Sequence, residues 1–197
     1  MRGGGALIQY LQKKDFTNIF GLDVSEKAIN LCKQKGIQNV FLMSGEKPEF
    51  GDRKFDIIIA SDVLEHIKED LRTLTDWHGL LKPEGKLIVF VPAFKFLWSV
   101  HDEVNHHYRR YSKSEFVNLL KKAGFQIERV SYWNMFLFLP ISLIRIGRKN
   151  LDKGSLRKEG YLKETPAFFN QLLTALLRFE NRMLQRFSFP LGSVYLL

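Results

Sequence analysis

Ile19-Phe20-Gly21-Leu22-Asp23 runs from apolar residues to an acidic end, and a helix opens near Ser25 directly after it. A glycine cluster, Gly3-Gly4-Gly5, stands a short distance upstream. A short strand that delivers a carboxylate to its C-terminal end, downstream of a glycine turn, is how doubly wound α/β folds hold a ribose. The carboxylate accepts hydrogen bonds from the two hydroxyls, and glycine lets the backbone approach the rest of the nucleoside. Asp23 reads equally well as the N-cap of the helix that follows.

Outward from this stretch, helix and strand signals alternate. Helices are expected over 6–14, 25–35, 70–81 and 112–123, and strands over 18–22, 40–43, 55–60, 86–91 and 125–133. Gly36 and Gly124 stand where helices end, and Ser112 with Glu115 forms a capping box. Phe55-Asp56-Ile57-Ile58-Ile59-Ala60 is a near-continuous apolar run, the pattern of a strand covered on both faces. Lys82-Pro83-Glu84-Gly85 reads as a turn. Repeated strand–helix units with short turns imply a parallel sheet with helices on both faces.

The pattern changes after Trp133. Residues 135–146 are rich in Phe, Leu and Ile around Pro140, residues 150–164 are polar and basic, and residues 167–187 carry apolar side chains at helical spacing. Neither apolar segment offers the roughly twenty uninterrupted residues a membrane span requires. They read either as helices capping the sheet or as an interfacial segment resting among lipid headgroups.

The chain has 197 residues, 45% of them hydrophobic, which suits one domain with a real core. Its net charge of +9 is concentrated late: from Phe138 onward there are ten Lys or Arg against four Asp or Glu. Those bases alternate with apolar runs, which fits an anionic membrane surface or lipid-phosphate substrate better than DNA. The single cysteine, Cys32, excludes an internal disulfide and fits a reducing, cytoplasmic compartment. Cys32 lies in an apolar helical pattern and reads as a packed residue.

Four segments together resemble the class I S-adenosylmethionine-dependent methyltransferases, within the group related to quinone-biosynthesis enzymes. They are Phe20-Gly21-Leu22-Asp23-Val24-Ser25; Phe55 to Ile67, with Ser61-Asp62-Val63-Leu64-Glu65-His66-Ile67 after the apolar run; Leu80 to Pro92; and His107-Tyr108-Arg109-Arg110-Tyr111 leading to Ala123-Gly124-Phe125. The resemblance implies a Rossmann-like, doubly wound, mostly parallel α/β fold. Residues 1–133 would form the cofactor-binding core, 134–190 a helical apolar-basic insertion, and 191–197 the start of a final strand. The family's glycine motif follows a first strand that ends in an acidic residue. Here Gly3 and Gly5 align with the last two glycines, and that strand is missing. The chain is therefore expected to be an N-terminally shortened methyltransferase, with two rows of backbone groups left unpaired.

The resemblance further implies S-adenosylmethionine as cofactor. Gly3 and Gly5 would meet its amino-acid moiety, Asp23 its ribose, and Val24, Ser44, Gly45 and Glu46 its adenine. Ser61 and Asp62 would flank the methionine end. Methyl transfer from a sulfonium needs alignment and exclusion of water rather than a catalytic triad. The loop holding His101, Asp102, Glu103, His106 and His107 is expected to line the acceptor pocket, with His106, His107 or Tyr108 taking a proton from an acceptor oxygen. Arg109 and Arg110 would bind a phosphate or carboxylate on a small or lipid-linked acceptor, or else form a solvated surface. His66 is expected to pack over the cofactor rather than act as a base. No metal site is expected, because the spacing puts no pair of ligands on one helical face. No Pro-Pro-Tyr-type base-flipping motif follows Ala60, so nucleic acid is not an expected partner. The competing reading is a cofactor-free module of the same fold, used for interaction or membrane docking.

Overall fold

The computed structural model describes residues 4–138, 140, 142–143, 167–192 and 194–196. Gly3 and the polar, basic stretch at 150–164 lie outside the described residues.

The first lobe is built on two short parallel strands, β1 (Gly21–Asp23) and β2 (Val40–Leu42), in register Gly21 with Val40 and Asp23 with Leu42. Helix α1 (Ala6–Gln12) and helix α2 (Glu26–Gln34) pack on them. The Ser25 side chain caps α2 by accepting the Ala28 N–H, so the N-cap is Ser25 and not Asp23. Ile29, Cys32, Ile37 and Val40 form a small core with Ile8 against it, so Cys32 is a packed residue. Gly5 opens α1 at φ +69°, and a Cβ there would lie 2.4 Å from Ile37 Cδ1 and 2.9 Å from Cys32 Sγ. Only glycine suits that backbone and that spacing together.

The second lobe is a four-stranded sheet in the order β3–β4–β6–β5. β3 (Phe55–Ser61) runs parallel to β4 (Leu81–Pro92), with α3 (Asp70–Leu80) as the crossover helix. β6 (Val194–Leu196) joins antiparallel, pairing with β4 on one side and with β5 (Ser131–Trp133) on the other. Between β3 and β4 lie α3 and a 3-10 turn at Leu64–His66. Helix α4 (Val100–Val104) and helix α5 (Lys113–Lys122) follow β4. Ser112 and Glu115 cap α5 reciprocally, and Gly124 follows at φ +98°. The main core here gathers Ala60, Leu64, Leu74, Trp77, Val89 and Phe116, among others.

Some boundaries differ from expectation. Lys82–Gly85 is drawn into β4 as an irregularity: Phe55 pairs with Leu81 and Ile57 with Lys86, and Glu84 takes φ +63°. β5 is three residues long rather than nine, because only Ser131–Trp133 finds a partner in β6. β3 is not covered on both faces. Ile57 is 49% and Ile59 37% exposed, and among the described residues one edge of β3 and one edge of β1 have no strand beside them. The two lobes meet instead through an aromatic cluster. Phe20 lies 5.9 Å from Phe55, and Phe50 4.9 Å from Phe55, both edge-on.

Residues 135–138, 140, 142 and 143 are helical. The buried Glu180 of the long helix α6 (Ala167–Leu184) accepts the N–H groups of Met135 and Phe136, capping that segment. No helix among the described residues is long and apolar enough to cross a membrane.

Candidate functional site

Two groups of side chains gather at the C-terminal ends of β1, β2, β3 and β4. The first comprises the residues expected to hold a nucleoside. Asp23 ends β1, and its Oδ1 accepts the Ser25 N–H at 2.8 Å. One oxygen of the carboxylate thus helps turn the chain into α2, ahead of the N-cap Ser25. Val24 is 73% exposed beside it. After β2, the Ser44 hydroxyl accepts the Glu46 N–H, while α3 fixes the loop from behind. Trp77 Nε1 donates to the Gly45 carbonyl at 2.8 Å, and Thr73 Oγ1 to the Glu46 carbonyl. A Cβ at Gly45 would stand 3.2 Å from Val63 Cγ1, so this glycine lets the loop lie against the residues that follow β3.

At the end of β3, Ser61 Oγ donates to Asp62 Oδ2, and Asp62 takes φ +51°. Phe94 at φ +59° follows β4, and His106 takes φ +56° in the loop after α4. Non-glycine residues in the left-handed region carry a cost of about 1–2 kcal/mol each, and such residues cluster at functional sites.

The second group is electrostatic. Asp102 is fully buried and accepts Arg110 Nε at 2.8 Å, Arg110 Nη2 at 3.1 Å, and the Ser99 N–H and hydroxyl. His107 Nδ1 lies 3.0 Å from the same carboxylate. Burial opposes ionisation of Asp102, but the hydrogen bonds and charge of Arg110 outweigh it and hold the carboxyl below its ordinary range. Arg110 donates its remaining contact to the Ala93 carbonyl and is 5% exposed. It is a nearly buried cation whose charge Asp102 matches inside the fold, so the alternative of a solvated surface does not hold for it. Arg109 keeps partial exposure while bonding to Asp70 and the Lys68 carbonyl. It lines an open pocket with Lys95, Trp98, Tyr108 and Arg110.

The same loop reaches back to β3. The Tyr108 N–H donates to the Glu65 carbonyl at 2.8 Å, which sets the His107 ring edge-on to His66 at 4.6 Å. Burial pushes the His66 pKa down, and the neighbouring His107 adds to this. Ligand atoms of Glu65, His66 and His107 all lie within 4.8 Å of one another. Spacing within the loop at 101–107 alone puts no pair of ligands on one helical face. The trio is assembled from two loops, which helical spacing does not register.

The pattern of the methyltransferase domain family matches residues 2–89. Over those residues the chain is similar to the class I S-adenosylmethionine-dependent methyltransferases. Among curated relatives, a ubiquinone/menaquinone biosynthesis C-methyltransferase from Wigglesworthia glossinidia brevipalpis is 30% identical over 49% of this chain and 42% of its own length. An uncharacterized protein from Methanocaldococcus jannaschii is 27% identical over 57% of this chain and 58% of its own. The chain thus spans about half the length of the curated relatives it matches. In fold, a S-adenosylmethionine-dependent methyltransferase from Mesorhizobium loti aligns over 77% of this chain and 82% of its own, at a TM-score of 0.57 and 17% identity. The doubly wound methyltransferase fold is therefore the fold of this chain, and S-adenosylmethionine is the cofactor of the enzymes it is similar to. The described residues fit the nucleoside half of that cofactor: a strand-end carboxylate with an oxygen to spare, an exposed apolar Val24, and a loop pinned from behind.

Proposed function

We propose that this chain binds S-adenosylmethionine across the ends of β1–β3 and directs methyl transfer to a small or lipid-linked acceptor, on oxygen or carbon. The observation that carries the reading is Asp23, placed at the C-terminal end of a parallel strand with Oδ1 engaged by Ser25. In this reading the carboxylate accepts from the ribose hydroxyls. Val24 and the Ser44-Gly45-Glu46 loop receive the adenine, and Gly5, Ser61 and Asp62 hold the methionine end, with Gly3 before them in sequence. The bound cofactor supplies a methyl group already activated on a sulfonium, so the protein aligns the acceptor and excludes water. His106, in the strained turn beside the pocket loop, takes the proton that an acceptor oxygen releases. Tyr108 and Arg109 face the acceptor in the open pocket, Arg109 matching an anionic group. Such a domain would work in the cytoplasm, against the membrane where the acceptor is lipid-linked.

The lipid-linked class is supported by α6. Phe168, Leu172, Ala175 and Phe179 recur at helical spacing on its exposed side, with Phe168 72% exposed and Arg178 and Arg182 flanking them. A second reading, a cofactor-free docking module, is favoured by the open edges of β1 and β3. Calorimetric titration of S-adenosylmethionine separates the two. Micromolar binding supports the enzyme, and no binding by the folded chain supports the module.

A further inference from the structure

Glu65 is the least satisfied polar residue in the described structure. It is fully buried, and neither carboxylate oxygen has a hydrogen-bond partner. Leaving a buried polar group unpaired costs on the order of 1–3 kcal/mol, more for a charge, so such a group asks for a ligand. Two imidazoles, those of His66 and His107, have ligand atoms within 4.8 Å of it. His107 is held through Nδ1 by the fully buried Asp102, which directs Nε2 to the other side of the ring. A carboxylate behind a histidine is the usual support of a metal-bound imidazole, fixing both tautomer and orientation. His66 sits next to Glu65 on the 3-10 turn, and the Tyr108–Glu65 main-chain bond holds the two loops at fixed separation.

We propose that Glu65, His66 and His107 form a binding site for a divalent transition-metal ion. Two neutral imidazoles and one carboxylate are a donor set suited to zinc or its neighbours. Metal bonds of about 2.0–2.2 Å bring ligand atoms closer than the 4.8 Å limit within which these now lie, a closure that side-chain rotation supplies. With three protein ligands the ion keeps at least one open position for water or an oxygen ligand. Asp102 and Arg110 are then the support of the site, which explains why so elaborate an ion pair is buried behind a single histidine.

The test is a Co2+ titration of the chelator-treated full chain, followed by absorption in the visible and by displacement with Zn2+. The expected result is one Co2+ per chain, with the strong bands of a low-coordinate site, lost on adding Zn2+. Glu65→Gln, which keeps side-chain volume and removes charge, should weaken binding at least ~10-fold, as should His66→Asn. His78→Asn, an exposed histidine elsewhere, should leave it unchanged. A folded chain that gives no bands, or binding that Glu65→Gln leaves intact, overturns the proposal. No S-adenosylmethionine enters the titration, so the outcome is independent of the cofactor reading.

Discussion

His107 Nδ1 lies 3.0 Å from the Asp102 oxygen that also receives Arg110 Nε at 2.8 Å, so one buried carboxylate orients an imidazole and neutralises a guanidinium. Removing that charge strands a buried cation. Asp102→Asn should destabilise the chain by about 3–5 kcal/mol in urea denaturation at neutral pH. Because the folded carboxyl titrates below its unfolded value, its contribution is present above the ordinary aspartate pKa and lost as pH falls through the lower folded one. Acidification should therefore narrow the gap between wild type and variant.

Glu65 behaves in the opposite sense. Burial raises its carboxyl from 4.5 to about 8. The folded, metal-free chain keeps a proton that the unfolded chain releases, so stability is full below the unfolded value and declines as pH rises towards the folded one. Thermal melts in chelator should show Tm falling across that window, and Glu65→Gln should flatten the slope and raise Tm at its alkaline end.

Asp23 serves two partners that substitution can separate. Asp23→Asn retains an acceptor for the Ser25 N–H and should leave Tm near wild type. It should weaken S-adenosylmethionine binding about tenfold or more, through loss of a charge-assisted acceptor. Equal loss of fold and binding would reduce Asp23 to a capping residue.

Gly5→Ala forces a methyl group into the contact with Ile37 and Cys32 at positive φ. Left-handed backbone and overpacking each cost about 1–3 kcal/mol, so the variant should show a clear drop in Tm while α5 and its cap are untouched.

The exposed stripe of α6 predicts adsorption to vesicles containing anionic lipid at low salt. Phe168→Ser with Phe179→Ser should reduce sedimentation with such vesicles severalfold, and added salt should do the same through Arg178 and Arg182. Binding indifferent to lipid charge argues against this surface.

Much of the fold is legible because caps and periods are local. Ser25, Ser112 with Glu115, and Gly124 announce helix ends within a few residues. The parallel pairing of β1 with β2 and of β3 with β4 follows from alternation with α2 and α3. What escaped is set by partners far along the chain. The length of β5 depends on β6, some sixty residues on. Arg110 looked like a surface cation because nothing in its own segment reveals that Asp102 takes it inside. Glu65 and His107 stand forty-two positions apart and meet through one main-chain bond, Tyr108 to Glu65, that no spacing rule encodes.

The three tryptophans occupy three separate regions of the molecule. Trp77 holds the Gly45 carbonyl behind the nucleoside loop, Trp98 lines the open pocket with Tyr108 and Arg109, and Trp133 donates to Asn181 of α6 at 2.9 Å. Chains that keep one tryptophan at a time would thus report by their fluorescence on these three regions independently. The order in which added ligands perturb them could be timed with no label added.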